Sequence, residues 1–191
     1  MFLRMISASE RKRLIFPLED SSLLQDLKAG EMLQISGWIL CGRDATHKRI
    51  LSALEKGDFK FDFTNQLIYY VGPTPPPPGK IIGACGPTTS SRMDPFLENF
   101  FKLGISATMG KGKRGSLART LHRTYQRVYF ITFGGAGAYL SQFVKKVEAI
   151  AWSELGPEAF FRIKVENFPA IVGIDTLGTD FYELSSASLP A

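Results

Sequence analysis

The segment Gly86-Pro87-Thr88-Thr89-Ser90-Ser91-Arg92-Met93-Asp94 joins a predicted strand at residues 80–85 to a predicted helix. Its hydroxyl groups and its arginine therefore lie where the chain passes from strand to helix, as in an α/β fold. The N–H groups at a helix start favour anions, and a guanidinium can hold a carboxylate through two parallel hydrogen bonds. The segment predicts an anion-binding site at this junction.

Two shorter motifs place single cations in the same kind of position. Gly42-Arg43-Asp44 follows a predicted strand, and Met109-Gly110-Lys111-Gly112 surrounds a lysine with glycines. Flanking glycines permit unusual backbone angles and a close approach of a ligand. The three cations and the threonine pair Thr88-Thr89 all lie in turns between elements, which suggests a pocket for a small dianion.

Both arginines also have acidic neighbours in the sequence. Arg43 could pair with Asp44, and Arg92 could pair with Asp94 or Glu98 on its own helix. Against these alternatives, both arginines lie at the ends of elements, where binding sites on α/β scaffolds are usually built. The sequence therefore favours a functional role for them but leaves internal ion pairs open.

Length and composition indicate one ordinary globular domain. The 191 residues suffice for a sizeable core, and we expect a single domain over residues 1–191. The net charge of +5 permits anionic ligands but does not by itself indicate nucleic acid. Cys41 and Cys85 lie in apolar runs without CxxC spacing, which predicts no disulfide framework and no metal or iron–sulfur site built by this chain alone. Without a signal peptide or a membrane-length apolar run, we expect a cytoplasmic protein with no membrane partner.

Hydrophobic patterning predicts alternating strands and helices. Strands are predicted within residues 1–30 and at residues 32–41, 66–71, 80–85, 128–133, 160–165 and 170–174. Helices are predicted from Asp44 to about residue 56, from Asp94 to Gly104, and from the glycines at 134–137 to Ile150. Aspartates at the start and glycines at the end support the first two helices. This alternation indicates a mixed α/β domain.

Several other features have ordinary structural explanations. The glycines at 134–137 lack the GxGxxG dinucleotide pattern, and residues 111–114 lack the GxxxxGK[ST] phosphate loop. We interpret the basic residues between 111 and 123 as mostly a solvated helix face, with nucleic-acid binding as the weaker alternative. The four prolines at 75–78 predict a stiff surface loop. Both cysteines are interpreted as core residues. His47, on an apolar helix face, is also interpreted as a core residue, with a position facing a site near Arg43, one turn away, as the alternative.

Together, the motifs between about residues 37 and 182 resemble the β subunit, or C-terminal β region, of the class I fumarate hydratase and tartrate dehydratase family of iron–sulfur hydro-lyases. The motifs occur in the family's order. They are Gly42-Arg43-Asp44-Ala45-Thr46-His47-Lys48-Arg49, Tyr70-Val71-Gly72-Pro73, the segment at residues 86–94, Gly110-Lys111-Gly112, Gly134-Gly135-Ala136, Glu154-Leu155-Gly156-Pro157-Glu158-Ala159, Phe168-Pro169-Ala170, Asp175 and Gly178-Thr179-Asp180-Phe181-Tyr182. This sequence has Thr89-Ser90-Ser91 where relatives often carry a Thr-Ala-Gly-like run, and small residues should preserve that turn.

The resemblance implies a fold, a partner and a reaction. The implied fold is a swivelling β/β/α domain with a mixed sheet and flanking helices. The implied partner is a separate α subunit that carries a [4Fe–4S] cluster, in an α2β2-type assembly, so that this chain alone is inactive. The implied reaction is the reversible hydration of fumarate to (S)-malate. L(+)-tartrate dehydration is an alternative within the family, and a dicarboxylate-binding or assembly module is a non-enzymatic alternative.

The resemblance also implies roles for four residues. Arg43 and Arg92 would hold the substrate's carboxylates, and Lys111 would stabilise the charge that develops during the reaction. Thr88 matches the family position suspected of proton transfer. Because a threonine is a poor base alone, it would need an acidic partner, expected from the α subunit. Thr88 and Lys111 are thus the candidate catalytic residues, all four are candidate substrate-binding residues, and no metal ligand is assigned to this chain.

Overall fold

The computed structural model describes residues 12–187. Its strands are β1 (Lys12–Phe16), β2 (Met32–Cys41), β3 (Leu67–Tyr69), β4 (Ala107–Gly110), β5 (Val128–Ile131), β6 (Val144–Ala151) and β7 (Phe160–Ile174). Its α-helices are α1 (Asp44–Glu55), α2 (Leu97–Lys102), α3 (Ser116–Tyr125), α4 (Gly137–Leu140) and α5 (Phe181–Ala187). Short 3₁₀ helices cover Ser21–Leu24, Ser90–Phe96, Ser141–Phe143 and Ser153–Glu158. Between residues 12 and 187, no helix is both long and apolar enough to cross a membrane.

The strands form a mixed sheet whose pairings close on themselves. Strands β1 to β5 run parallel, each paired with the next along the chain. Strand β7 runs antiparallel to β2, β5 and β6, so that the pairings β2–β3–β4–β5–β7–β2 form a circuit. Its 15 residues are long enough to offer one edge to β2 and the other to β6 and then β5. The predicted mixed α/β domain with a sheet and helices is confirmed.

Two hydrophobic cores lie on opposite faces of the parallel strands. Leu67 and Tyr69 of β3 belong to a core that draws side chains from all five strands of the circuit. Ile68, between them, belongs to a second core together with residues of α1, α2 and α3. Because both faces of β3 are buried, the strand is apolar throughout, as is typical of parallel strands covered on both sides.

Helix α1 begins directly after the end of β2. The N–H of Arg43, at the cap position, donates a hydrogen bond of 3.1 Å to Oγ1 of Thr46. Buried Ile50 packs into the second core, and the chain leaves the helix at Gly57, whose φ of 74° favours glycine. This short β2–α1 connection places Arg43 at the carboxyl edge of the parallel strands.

The strand predicted at residues 80–85 is not formed. The segment instead folds back against the proline loop: the N–H of Ala84 donates to Oγ1 of Thr74, and the N–H of Thr74 donates to the carbonyl of Ala84. Gly83 permits this close approach, because a Cβ there would lie 2.2 Å from the carbonyl oxygen of Thr74. The apolar side chains Ile82 and Cys85 are buried without strand pairing. The prediction was wrong because burial does not require a sheet.

The long helix predicted from residue 134 to Ile150 was also wrong. Helix α4 ends at Leu140, and residues 144–151 form strand β6 against β7. The β-branched residues Val144, Val147 and Ile150 suit a strand, and the first part of β7, which does not pair with β5, supplies its hydrogen-bond partners. Periodicity alone therefore misassigned this segment.

The two strands predicted at residues 160–165 and 170–174 are one strand, β7. Its alternation is interrupted at Asn167, which has a φ of 53° and whose N–H donates to Oγ of Ser36. The pairing with β2 shifts register at the same place. This bulge explains why the sequence pattern suggested two strands.

The helix predicted from Asp94 to Gly104 begins later. Residues Ser90–Phe96 form a 3₁₀ helix, and α2 starts only at Leu97. The Asp94 carboxylate does not cap a helix of its own segment, because it accepts hydrogen bonds from Arg114 and from the N–H of Gly115. Strand β4 lies between β3 and β5 in the sheet and pairs with both. This strand was not predicted from the sequence.

Candidate functional site

The four predicted site residues lie at the carboxyl edge of the parallel strands. Arg43 follows β2, and Lys111 follows β4. Thr88 and Arg92 belong to the segment at residues 86–94, which crosses this edge between β3 and β4. Ligands of α/β proteins bind outside the carboxyl ends of parallel strands, so this edge has the expected position of a binding site.

The guanidinium of Arg43 is held on two sides. Its Nη2 lies 2.8 Å from Oε1 of Glu158, in a half-buried ion pair. Its other side lies against Gly72, where a Cβ would be 2.9 Å from the Arg43 Cζ. The alternative that Arg43 pairs with its neighbour Asp44 is not observed. Glu158 lies in the motif at residues 154–159, but no feature of the sequence around either residue indicates that Glu158 contacts Arg43.

Thr88 and Lys111 are brought together by backbone hydrogen bonds. The N–H of Thr88 donates to the carbonyl of Tyr70 at 2.8 Å, and the N–H of Lys111 donates to the carbonyl of Thr88 at 3.3 Å. The N–H of Ser90 then donates to the carbonyl of Lys111 at 3.0 Å. The hydroxyl-rich segment therefore extends the sheet beyond β3 and β4, which fixes Thr88 beside Lys111.

A tyrosine at the base of this edge joins the two loops. The Tyr129 hydroxyl lies 3.0 Å from Oγ of Ser90 and donates to the carbonyl of Gly112 at 2.9 Å. Residue 110 must be glycine, because a Cβ at this position would lie 2.1 Å from the Ser90 Oγ. The Lys111 side chain passes Gly134, at which a Cβ would lie 3.2 Å from the lysine Cδ. The glycines thus leave room for the lysine and its loop.

Arg92 pairs with Asp44, a partner the sequence did not suggest. Its Nε and Nη2 lie 3.1 and 2.8 Å from the two carboxylate oxygens of Asp44. Both predicted alternatives are wrong: Asp94 binds Arg114, and Glu98 binds Lys102 at 2.9 Å. Asp44 is the first residue of α1 and directly follows Arg43 in the sequence. The ion pair with Asp44 therefore holds Arg92 close to Arg43.

The most deeply buried charge near the site is Arg114. Its side chain is fully buried, with Nε 2.7 Å from Oδ1 of Asp94 and Nη1 3.1 Å from Oγ1 of Thr108. The guanidinium also lies over the rings of Tyr70 and Tyr129, at 5.6 and 5.1 Å. The interpretation of this residue as part of a solvated helix face was wrong. Its ion pair ties the segment that carries Arg92 to the loop that follows Lys111.

The rest of the basic stretch is partly paired within the chain. Lys113 and Arg119 both form ion pairs with Glu183 of α5. Arg123 is exposed. The interpretation as a mostly solvated face therefore fits Lys113 and Arg123, which are exposed, but not the buried Arg114.

His47 is a core residue, as the sequence favoured. Its ring lies 4.5 Å from that of Phe100 and 5.5 Å from that of Tyr70, and its Nδ1 lies 2.8 Å from the carbonyl of Arg43. Burial disfavours the charged imidazolium and lowers the pKa of His47 to about 4. The ring supports the Arg43 turn from inside.

A pH dependence of stability follows from His47 and from His122, whose pKa burial lowers to about 3. The unfolded state binds these protons more readily than the folded state does. Each histidine therefore makes its full contribution to the free energy of unfolding above about pH 6.5, and this contribution is lost as the pH falls. Between pH 6.5 and 5, we expect the free energy of unfolding to fall by up to about 1.4 kcal/mol per pH unit for each histidine. Urea unfolding at several pH values measures this slope. His47→Gln should reduce the slope, and an unchanged slope would contradict the assignment.

The described residues do not fit an iron–sulfur cluster. Cys41 and Cys85 are both buried, and burial raises the pKa of Cys85 to about 12 and that of Cys41 well above its usual range. A cluster needs thiolates, which these environments disfavour. Between residues 12 and 187, no group of three or more His, Cys, Asp or Glu side chains is arranged to hold a metal ion.

Comparison with known proteins gives a consistent set of relatives. Residues 7–185 match the family described as "Fumarase C-terminus". The chain is 40% identical over 154 residues to "Fumarate hydratase 1, mitochondrial" of Leishmania major, covering 79% of this chain and 28% of that protein. It is 32% identical over 192 residues to "Fumarate hydratase class I, aerobic" of Salmonella typhimurium, covering 97% of this chain and 33% of that protein. It is 35% identical over 167 residues to "Putative L(+)-tartrate dehydratase subunit beta" of Methanocaldococcus jannaschii, covering 84% and 86%.

These matches differ in how much of each relative they cover. The chain spans about a third or less of the two fumarate hydratases, but most of the tartrate dehydratase beta subunit. The family match includes every residue of the edge described above, from Arg43 to Glu158. The chain therefore belongs to the Fumarase C-terminus family.

Proposed function

We propose that this chain is the β subunit, or β region, of a class I hydro-lyase that reversibly hydrates fumarate to (S)-malate. The observation that carries the proposal is the meeting of Arg43, Thr88, Arg92 and Lys111 at one sheet edge, although they come from separate segments. Three cations at one edge suit a dicarboxylate. The family and the fumarate hydratase relatives support the same reaction class.

In this proposal the two arginines bind the substrate's carboxylates. Arg43 uses Nη2 on Glu158, and Arg92 uses Nε and Nη2 on Asp44. A guanidinium has five N–H donors, so each arginine keeps donors for a substrate carboxylate while its orientation is fixed. Removal of a proton from the carbon beside a carboxylate increases the negative charge there, and Lys111 stabilises that charge.

Thr88 is the proposed proton-transfer residue of this chain. Its N–H donates a hydrogen bond to the carbonyl of Tyr70, and its carbonyl accepts one from the N–H of Lys111. These two hydrogen bonds fix the position of the Thr88 backbone beside the lysine. A threonine hydroxyl is too weak a base to act alone. The proposal therefore includes an acidic partner from the α subunit.

The assembly is part of the same proposal. The described residues of this chain do not fit the [4Fe–4S] cluster, so we place its ligands on an α subunit or α region, which would supply the Lewis acid of the reaction. A relative of similar length is named as a beta subunit, which supports a two-subunit organisation, and we propose an α2β2-type complex in the cytoplasm. The closed strand circuit with helices outside it supports a swivelling β/β/α domain, which we propose for residues 1–191.

Gly72→Ala should disturb the site without unfolding the chain. The new Cβ would lie 2.9 Å from the Arg43 Cζ, and the flexible arginine side chain should move rather than the backbone. We expect kcat/KM of the assembled enzyme to fall about 10-fold, the effect of roughly one charge-assisted hydrogen bond, with little change in Tm. Gly115→Ala is the control, since its Cβ would make only an ordinary contact at 3.4 Å. Equal kcat/KM in the two variants would contradict the prediction.

The proposed function is tested by reconstitution. This chain and its candidate α subunit are mixed anaerobically with iron and sulfide, and hydration is followed as loss of fumarate ultraviolet absorbance. Each chain alone is the control. Activity only in the reconstituted mixture would support the proposal. A formed complex with an intact cluster that converts no dicarboxylate would refute it and favour a binding or assembly module.

A second candidate is L(+)-tartrate dehydration. The specific observation is the match of 84% of this chain to 86% of a protein named as a tartrate dehydratase beta subunit. The same reconstituted mixture distinguishes the two, because kcat/KM is measured with fumarate, (S)-malate and L(+)-tartrate. A higher value for tartrate would move the assignment within the family.

A further inference from the structure

The carboxylate of Glu158 makes two contacts with the turn that carries Arg43, and its carbonyl makes a third. Its Oε1 accepts from Nη2 of Arg43 at 2.8 Å, and its Oε2 accepts from the N–H of Ala45 at 2.7 Å. Its backbone carbonyl accepts from Oγ1 of Thr46 at 2.6 Å. One residue from a distant segment therefore holds the side chain and the backbone of the β2–α1 turn together.

These contacts replace a missing helix cap. The first N–H groups of a helix have no partner within it, and a carboxylate is favoured there. Arg43 at the cap position carries a cation, which cannot accept these hydrogen bonds. Glu158 satisfies the N–H of Ala45 from outside α1 and at the same time neutralises the unfavourable charge at the cap.

The segment that carries Glu158 is constrained. Gly156 has a φ of 57° and a ψ of −122°, a conformation that favours glycine, and Pro157 fixes the next φ. The side chains of Glu158 and Arg43 are only 23% and 28% exposed, so the pair is shielded from solvent on most sides. With Gly72 on its other side, the guanidinium has little freedom to rotate.

We propose that Glu158 is a positioning residue that orients Arg43 for a substrate carboxylate. The inference rests on the proposed function for the identity of the substrate, but the orientation of Arg43 can be measured without it. Glu158 acts through Arg43 and does not itself hold the dianion, because a carboxylate repels one.

Kinetics of the assembled enzyme provide the first test. We expect Glu158→Ala to lower kcat/KM for fumarate about 10-fold or more, because a small misplacement of a binding group is costly. Glu158→Gln keeps an acceptor oxygen and should retain more activity. In an Arg43→Ala background, Glu158→Ala should cause no further loss. Independent losses in the double variant would overturn the proposal, and so would a gain in kcat/KM with Glu158→Ala, which would show that Glu158 competes with substrate.

Nuclear magnetic resonance of this chain provides a readout that does not depend on activity. The Nε of Arg43 is buried, so its Nε–H resonance should exchange slowly with solvent, and its loss in Arg43→Ala assigns it. Glu158→Ala should shift this resonance and accelerate its exchange. Glu148→Ala, which breaks the exposed pair with Arg162, is the control and should leave it unchanged. An unchanged Arg43 resonance in Glu158→Ala would overturn the proposal even if the complex shows no hydratase activity.

Discussion

Replacement of Lys111 by alanine should lower kcat of the assembled enzyme by about 100-fold or more, the effect of removing one fixed donor from a charge-stabilising site. The backbone N–H of Lys111 donates a hydrogen bond to the carbonyl of Thr88, and the lysine side chain passes Gly134 at the carboxyl edge of the parallel strands. No acidic partner of Lys111 occurs among the ion pairs of the described residues. Its charge is therefore free for a ligand. The measurement is steady-state fumarate hydration by the reconstituted complex.

Lys113→Ala is the matched control for Lys111→Ala. Lys113 has the same charge and lies two residues away, but its Nζ is 3.5 Å from a carboxylate oxygen of Glu183 and its side chain is more than half exposed. We expect this variant to keep nearly normal kcat. Similar losses in both variants, with intact complexes, would indicate a general effect of charge and would remove Lys111 from the site.

Replacement of Arg114 by alanine should cause the largest loss of stability. The arginine side chain is fully buried, and its partner Asp94 is only 15% exposed, so the substitution leaves a carboxylate without its counter-ion. Breaking a buried pair in this way typically costs about 3–5 kcal/mol. The change also removes the hydrogen bond to Thr108 and a cation from between two tyrosine rings. Urea unfolding of this chain measures the loss.

Arg162→Ala is the control for this experiment. Arg162 also binds a carboxylate, that of Glu148, but both side chains are about two-fifths exposed. An exposed pair typically contributes less than about 1 kcal/mol. If Arg114→Ala destabilises the chain no more than Arg162→Ala does, the buried ion pair does not hold the site segments together as described.

The positions of the cations could be predicted because they depend on local sequence. A glycine-flanked cation directly after an apolar run indicates the end of a strand, and parallel strands bring their carboxyl ends to one edge. Arg43, which follows the predicted strand at residues 32–41, lies at that edge. Lys111 lies there too, but the sequence placed it only in a turn, because strand β4 before it was not predicted. The hydroxyl-rich segment at residues 86–94 carried the same expectation for Thr88 and Arg92, and this segment crosses the same edge.

The partners of these cations could not be predicted, because they are distant in sequence. Arg43 and Glu158 are 115 residues apart, and Arg92 and Asp44 are 48 apart. Local reasoning could propose only near neighbours, and none of those three pairings is formed. The buried state of Arg114 was missed for the same reason, since Asp94 lies 20 residues before it on another element.

The errors in secondary structure also arise from long-range pairing. Residues 144–151 have apolar spacing compatible with a helix, but pairing with the first part of β7 makes them a strand. Residues 80–85 have the composition of a strand, but their backbone partners are Pro77, Thr74 and Gly137, not a neighbouring strand. In both cases tertiary contacts decided between conformations that the local sequence permits.

If this edge binds a dicarboxylate through its arginines, removal of Arg92 should weaken the use of substrate. The measurement is kcat/KM for fumarate in the reconstituted complex with Arg92→Ala, compared with Arg162→Ala, since both variants remove an arginine paired with one carboxylate. We expect kcat/KM to fall about 10-fold or more for Arg92→Ala, from the loss of a charge-assisted hydrogen bond, and to stay nearly normal for Arg162→Ala. Equal values in the two variants, in complexes that assemble normally, would contradict this expectation.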